Sequence, residues 1–158
     1  MQNIVKASLL ITAMVVTSHG LASAEALKLE GTYIDHGYDE AGQAIPGGSV
    51  RTAVGPVVAV SCPGTSGTCT IQANHFIQVG HGSATGNQYT VGFYVDGVAN
   101  GDEQILGSTP PDGTYSIGAT SEFQSGVTPG AHSVQVYIYS LDPTYVFNYT
   151  TNFEVYKP

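Results

Sequence analysis

The chain has 158 residues, with twelve acidic against four basic side chains, ten Tyr, five Phe and no Trp. That balance argues against nucleic-acid binding, which draws its affinity from Lys and Arg neutralising phosphates, and against an anionic membrane surface for the same reason. The low charged fraction is not a sign of disorder, because Val, Ile, Tyr, Phe and Thr are abundant and patterned.

Met1 to Ala24 reads as a removable export leader. Lys6 lies in a short charged start, an apolar run passes through Leu9-Leu10-Ile11 and Ala13-Met14-Val15-Val16, and Ala22-Ser23-Ala24 is a small-x-small cleavage site. The run is too short to span a bilayer, and no other stretch approaches eighteen apolar residues. Cleavage leaves residues 25–158 as one domain, secreted or periplasmic, with Lys28, Arg51 and Lys157 against all twelve acids and a net charge of −9.

Glu25 to Tyr33 is expected to be an edge strand or arm. The aperiodic Asp35 to Gly48 is expected to be a long loop, where sites tend to sit. Val54 to Val60 is apolar at nearly every position, and Pro56 confines that strand to an edge or a bulge. Cys62 and Cys69, the two cysteines, flank a Gly- and Pro-containing loop, and a disulfide is expected in an exported chain. Closing so short a loop stabilises by about 2.5 kcal/mol in the chain-entropy model, and the bridge should clip one loop rather than pin two sheets.

From Cys69 to Val79 the positions Ile71, Ala73, His75, Ile77 and Val79 alternate with polar neighbours, as in a half-buried strand. Tyr89, Val91, Phe93 and Val95 repeat the pattern. Asp96-Gly97 and Pro110-Pro111-Asp112-Gly113 are turn signals. Between the turns lies a short apolar piece at Ile105-Leu106. Tyr115, Ile117, Ala119, Ser121 and Phe123 share one face of the next strand. Tyr145, Phe147, Tyr149, Thr151, Phe153 and Val155 share a face of the last, whose length marks it as central to its sheet.

The turn and strand from Ser125 to Ser140 carry a family resemblance. Val127-x-Pro129-Gly130-x-His132-x-Val134-x-Val136 resembles the corner entering the sixth strand of fibronectin type III and related immunoglobulin-like sandwiches, where a tyrosine hydroxyl ties back to the backbone. His132 stands at the tyrosine's position. The resemblance covers the last third of the chain and implies fold, not chemistry. With seven or eight strands and no helical period, the fold class is all-β, a two-layer antiparallel β-sandwich, immunoglobulin-like or alternatively a jelly roll.

Catalytic signals are sparse. No G-x-S-x-G or other nucleophile signature surrounds any serine. A blue-copper site would need methionine, and Met1 and Met14 leave with the leader. His75, inward by parity, is expected to be buried, neutral and hydrogen-bonded to backbone. Asp35, Asp39, Glu40, Asp96, Asp102 and Glu103 are the candidates for a carboxylate pair of the glycosidase kind. Asp96, Asn100, Asp102 and Glu103 are also candidate calcium ligands without the EF-hand order. No other cofactor is expected. Asn148-Tyr149-Thr150 matches a glycosylation triplet by chance within a strand. Parity places Tyr94, Tyr137, Tyr139 and Tyr156 away from the core, as an aromatic surface suited to a carbohydrate or a protein partner. The function expected is a non-catalytic exported binding or structural module, the alternatives a polysaccharide hydrolase using loop acids or a calcium-stabilised adhesion-type domain, with oligomeric state open.

Overall fold

The structure is a computed structural model and describes residues 27–48, 50–81, 87–100, 104–109 and 115–158. The expected leader, the turn at Pro110 to Gly113, and Asp102 and Glu103 lie outside them. Among the described residues nine strands follow one another: β1 (Lys28–Ile45), β2 (Thr52–Cys62), β3 (Cys69–His81), β4 (Asn87–Val95), β5 (Val98–Ala99), β6 (Gln104–Thr109), β7 (Tyr115–Val127), β8 (Gly130–Ser140) and β9 (Thr144–Lys157).

Their pairing is nested. β1 pairs with β9, β2 with β8, β3 with β7 and β4 with β6, all antiparallel, so the chain is one long hairpin folded back near β5. Rolling that hairpin adds β3 to β9 and β4 to β8, giving one sheet in the order β1-β9-β3-β7 and another in the order β2-β8-β4-β5, with β6 also on β4. The expected two-layer antiparallel sandwich is therefore present, and its strand order is that of the jelly-roll alternative. An immunoglobulin domain keeps its first two strands side by side in one sheet, whereas β1 and β2 lie in different sheets here.

The core lies between the sheets and is built by alternation. Ile71, Ala73, Ile77 and Val79 of β3 face Tyr89, Val91 and Phe93 of β4 and Val134, Val136 and Ile138 of β8, all fully buried. Phe93 and Phe153 meet edge to face across the layer with centroids 5.8 Å apart. Cys62 and Cys69 are bonded, as expected. Because β2 and β3 belong to opposite sheets, this short loop is itself a sheet crossover, and the bridge pins the two layers at that corner, contrary to expectation. Lys157 caps the same loop by donating to the carbonyls of Pro63 and Ser66.

Three expectations are corrected. The long loop predicted over Asp35 to Gly48 is instead mostly strand: β1 runs to Ile45 along β9, with an irregularity between Tyr38 and Gln43 that erases the period-two signal. In β9 the shared face holds from Tyr149 to Val155, but a register shift opposite Gln78 and Val79 turns Val146 and Thr144 inward and sends Tyr145 and Phe147 outward. The apolar face of β7 points away from the core, leaving Tyr115, Ile117 and Phe123 about half exposed or more. Its inner positions are polar because polar groups meet them there: Tyr89 donates to Ser116 Oγ, and Asn100 donates to Glu122.

β2 is an edge strand with a register shift between Val54 and Val58, as Pro56 requires. Gly55 sits in this bulge at φ +73°, its freed carbonyl accepting from Gln135 Nε2 at 2.9 Å. A Cβ there would collide with the Tyr149 hydroxyl and Asp35. Gly55→Ala therefore combines backbone strain with a clash and should lower unfolding free energy by about 1–3 kcal/mol in denaturant titration, against less than about 0.5 kcal/mol for the exposed Val57→Ala. Equal effects at the two positions would remove the role given to the bulge.

Candidate functional site

The outer face of the β1-β9-β3-β7 sheet concentrates the exposed side chains with binding chemistry. Register places Ile117, Gln78, Asn148 and Tyr38 in one row across the four strands, then Ala119, Phe76, Thr150 and His36, then Ser121, Asn74, Asn152 and Ile34, then Phe123, Gln72, Glu154 and Thr32. Rows lie about 6.8 Å apart and strands about 4.8 Å apart, so this is a regular grid of side chains on one sheet face.

Its centre is a hydrogen-bonded network. Asn74 Oδ1 accepts from Gln72 Nε2 at 2.9 Å and from Ser121 Oγ at 2.6 Å. Asn74 Nδ2 donates to Glu154 Oε2 at 3.3 Å, Asn152 Nδ2 donates to Glu154 Oε1 at 3.1 Å, and Tyr156 Oη donates to Glu154 Oε2 at 2.7 Å. That last bond holds the Tyr156 phenol above its usual range. Chaining fixes amides and hydroxyls relative to one another while leaving acceptor and donor capacity for a ligand.

At one end of the grid, Tyr38, Gln78, Tyr115 and Phe147 line a shallow cleft of about 300 Å³. Phe147 meets Tyr115 edge to face at 5.0 Å and Tyr145 at 6.4 Å. Gly80 makes this possible, since a Cβ there would strike the Phe147 ring. The β9 register shift supplies the outward direction of Phe147. Below the cleft, Tyr149 is buried, donates to Asp35 Oδ1 at 3.3 Å and is pushed up to about 12 by burial and the adjacent carboxylate. Burial raises the Asp35 carboxyl, and the Tyr149 bond offsets part of that.

The sequence-predicted tyrosines do not form one surface. Tyr94, Tyr137 and Tyr139 lie on the other sheet, and Tyr156 belongs to the grid. Tyr137 is fully buried although it points away from the core: it lies flat over Gly92, against Tyr94 at 4.6 Å and under Arg51. The most exposed tyrosines are Tyr38, at 71%, and Tyr115, at 59%. Sequence reasoning missed these, together with Gln78 and Phe147. Gly80, interrupting an otherwise alternating strand, was the available signal for a ring crossing the backbone.

Of the acidic candidates, the side chains described are those of Asp35, Asp39 and Asp96, and they do not gather in one cluster. Asp35 is a buried strand residue, and Asp39 is exposed and accepts from its local Ala41 N–H at 2.9 Å. Asp96 and Gly97 both have positive φ and form the type I′ turn between β4 and β5. Asp96 Oδ1 accepts from Ser133 N and Oγ, and Oδ2 contacts His132 Nδ1 at 2.7 Å. Asn100 turns inward to Glu122. Among the described residues no three His, Cys, Asp or Glu gather as a metal would need.

Two histidines are structural. His132 Nε2 donates to Thr128 O at 2.8 Å while Nδ1 donates to Asp96, so the imidazole carries both protons and ties the turn before β8 to the turn after β4. Ser133 bonds Asp96 and not His132, so this Ser, His and Asp set lacks the base-to-nucleophile contact of a triad. His75 is buried, bonds Thr151 Oγ1 at 2.9 Å rather than backbone, and is lowered to about 4 by burial. It is neutral near pH 7, and its 3.7 Å approach to Glu122 is then no ion pair.

These histidines predict opposite pH limbs. The Asp96 bond and the Thr128 carbonyl raise the His132 pKa, so its clamp stabilises fully below about pH 6.5 and is lost as pH rises through the folded-state pKa. His75 takes up its proton more readily when unfolded, so stability falls as pH drops from about 6.5 toward 4. Tm measured against pH should decline on both sides, and His132→Gln should flatten the alkaline limb alone; an unchanged alkaline limb would exclude the clamp. No protein-family model matches the chain, and no curated protein matches it in sequence.

Proposed function

We propose that this protein is an exported, non-catalytic binding module that recognises a neutral glycan chain on the outer face of its four-stranded sheet. The observation that carries the reading is the conjunction of a hydrogen-bonded network of amides and hydroxyls with an aromatic cleft on one exposed face. Sugars present alternating hydroxyl edges and apolar ring faces. Fixed amides and one carboxylate suit the edges, and Tyr38, Tyr115 and Phe147 suit the faces. Its internal hydrogen bonds hold the network's geometry, which lowers the ordering cost of binding.

Charge selects among glycans. Glu154 is the one acidic side chain in the grid rows, and the chain around it is strongly acidic, so anionic polysaccharides are repelled while neutral ones are not. The bonded Cys62 and Cys69 fit an oxidising compartment outside the cytoplasm, as the leader-like start does.

Retention on cellulose, chitin and a soluble neutral β-glucan, compared with an anionic polymer such as alginate, tests the reading. Binding to at least one neutral polymer and none to alginate is expected. Tyr38→Ala and Tyr115→Ala should each weaken it by about 2- to 10-fold, as loss of one stacking contact does. Val57→Ala, on the opposite sheet, should leave it unchanged. A chain that no neutral polymer retains would sink the proposal.

A further inference from the structure

We infer that the free edge of β7 is a homodimer seam, at which β7 of a second copy adds antiparallel and joins two four-stranded sheets into one of eight. β7 ends the β1-β9-β3-β7 order, and among the described residues no strand is hydrogen-bonded to its far side, although β6 of the opposite sheet comes close to it. It is thirteen residues long, about 44 Å of strand. From Tyr115 to Gln124 it runs beside β3 without a register shift, so no bulge interrupts this stretch of the edge.

The other edges are blunted in the ways that proteins use to prevent strand addition. β1 carries two irregularities, β2 carries the Gly55-Pro56 bulge, and the edge beyond β4 is divided between the two-residue β5 and the six-residue β6. β7 has no Pro, Lys or Arg. Its only ionisable group with a carboxyl, Glu122, points inward and is already 1% exposed, so pairing would not bury it further.

Absence of charge permits a second copy at this edge, and the side-chain pattern favours it. The outward positions Tyr115, Ile117, Ala119, Ser121, Phe123 and Ser125 are uncharged, so two acidic molecules meet least repulsion there. A two-fold axis through Ala119 places Tyr115 opposite Phe123 of the second copy, twice, and Ile117 opposite Ser121. Odd positions meet odd positions, so both apolar faces fall on the same side, and aromatic residues directly opposite each other stabilise an antiparallel pair.

Sedimentation velocity over a dilution series should show a dimer that dissociates on dilution. Ala119→Glu sets two carboxylates face to face at the axis and should weaken the dimer at least about ten-fold, while Thr150→Glu, on the same outer face but two strands inward, should not. Ala119→Cys, small enough to be tolerated, should form an intermolecular disulfide on mild oxidation, and Thr150→Cys should not. A monomer at every concentration, a dimer indifferent to Ala119→Glu, or failure of Ala119→Cys to crosslink under conditions where the dimer forms would each overturn the inference, as would a protein that stays monomeric and takes up a foreign strand instead.

Discussion

Everything in this molecule depends on two sheets closing over one shared apolar layer. Phe93 and Phe153 mark the middle of that layer, and the buried Val, Ile and Ala positions of β3, β4, β8 and β9 surround them. Nested pairing forces most connections to cross from one sheet to the other, so the corners carry an unusual share of the fastening. The disulfide with its Lys157 cap holds one corner, and His132 with Asp96 and Thr128 holds another. Tyr149 with Asp35 and Gly55 closes the side where β1 approaches β2. Each device uses polar chemistry where the apolar layer thins.

Division of labour between the two sheets follows from the same layer. The inner surfaces are committed to packing, which leaves the outer surfaces to carry any recognition. On the β2-β8-β4-β5 side, Tyr137 is consumed in covering Gly92 and contacting Tyr94 and Arg51. On the other side the rings remain exposed around Phe147, and the network centred on Asn74 and Glu154 is itself part of the surface. A glycan-binding role is proposed for that second side because its polar groups are already ordered, whereas the tyrosines of the first are engaged in the fold.

Much of the architecture was legible in the sequence where alternation was uninterrupted. β3, β4 and β8 bury the residues that parity selects, β9 is central to its sheet, and Pro56 marks an edge with a bulge. Readability failed where one residue of register was inserted. The irregularities near Tyr38 to Gln43 in β1 and at Phe147 in β9 break the period of two, making a strand look like a loop in one case and inverting the inward set in the other. β7 failed for a different reason, since its apolar residues are outside and its inner partners, Tyr89, Asn100 and His75, come from distant segments. Strand order and the cleft were likewise hidden, because both depend on pairings between residues far apart in the chain. Pro129-Gly130 is a turn entering a strand, as expected, but the strand order around it is not the immunoglobulin one that the resemblance implies.

The nested pairing has a kinetic consequence. Lys28 aligns with Lys157 and Tyr33 with Phe153, so the first strand to emerge during synthesis has no partner until the last has been made. A chain of such high contact order must bring distant segments together before any sheet is complete, and it folds slowly for that reason. Until then it remains a threadable polymer, with β1 waiting at one end for β9 to arrive at the other.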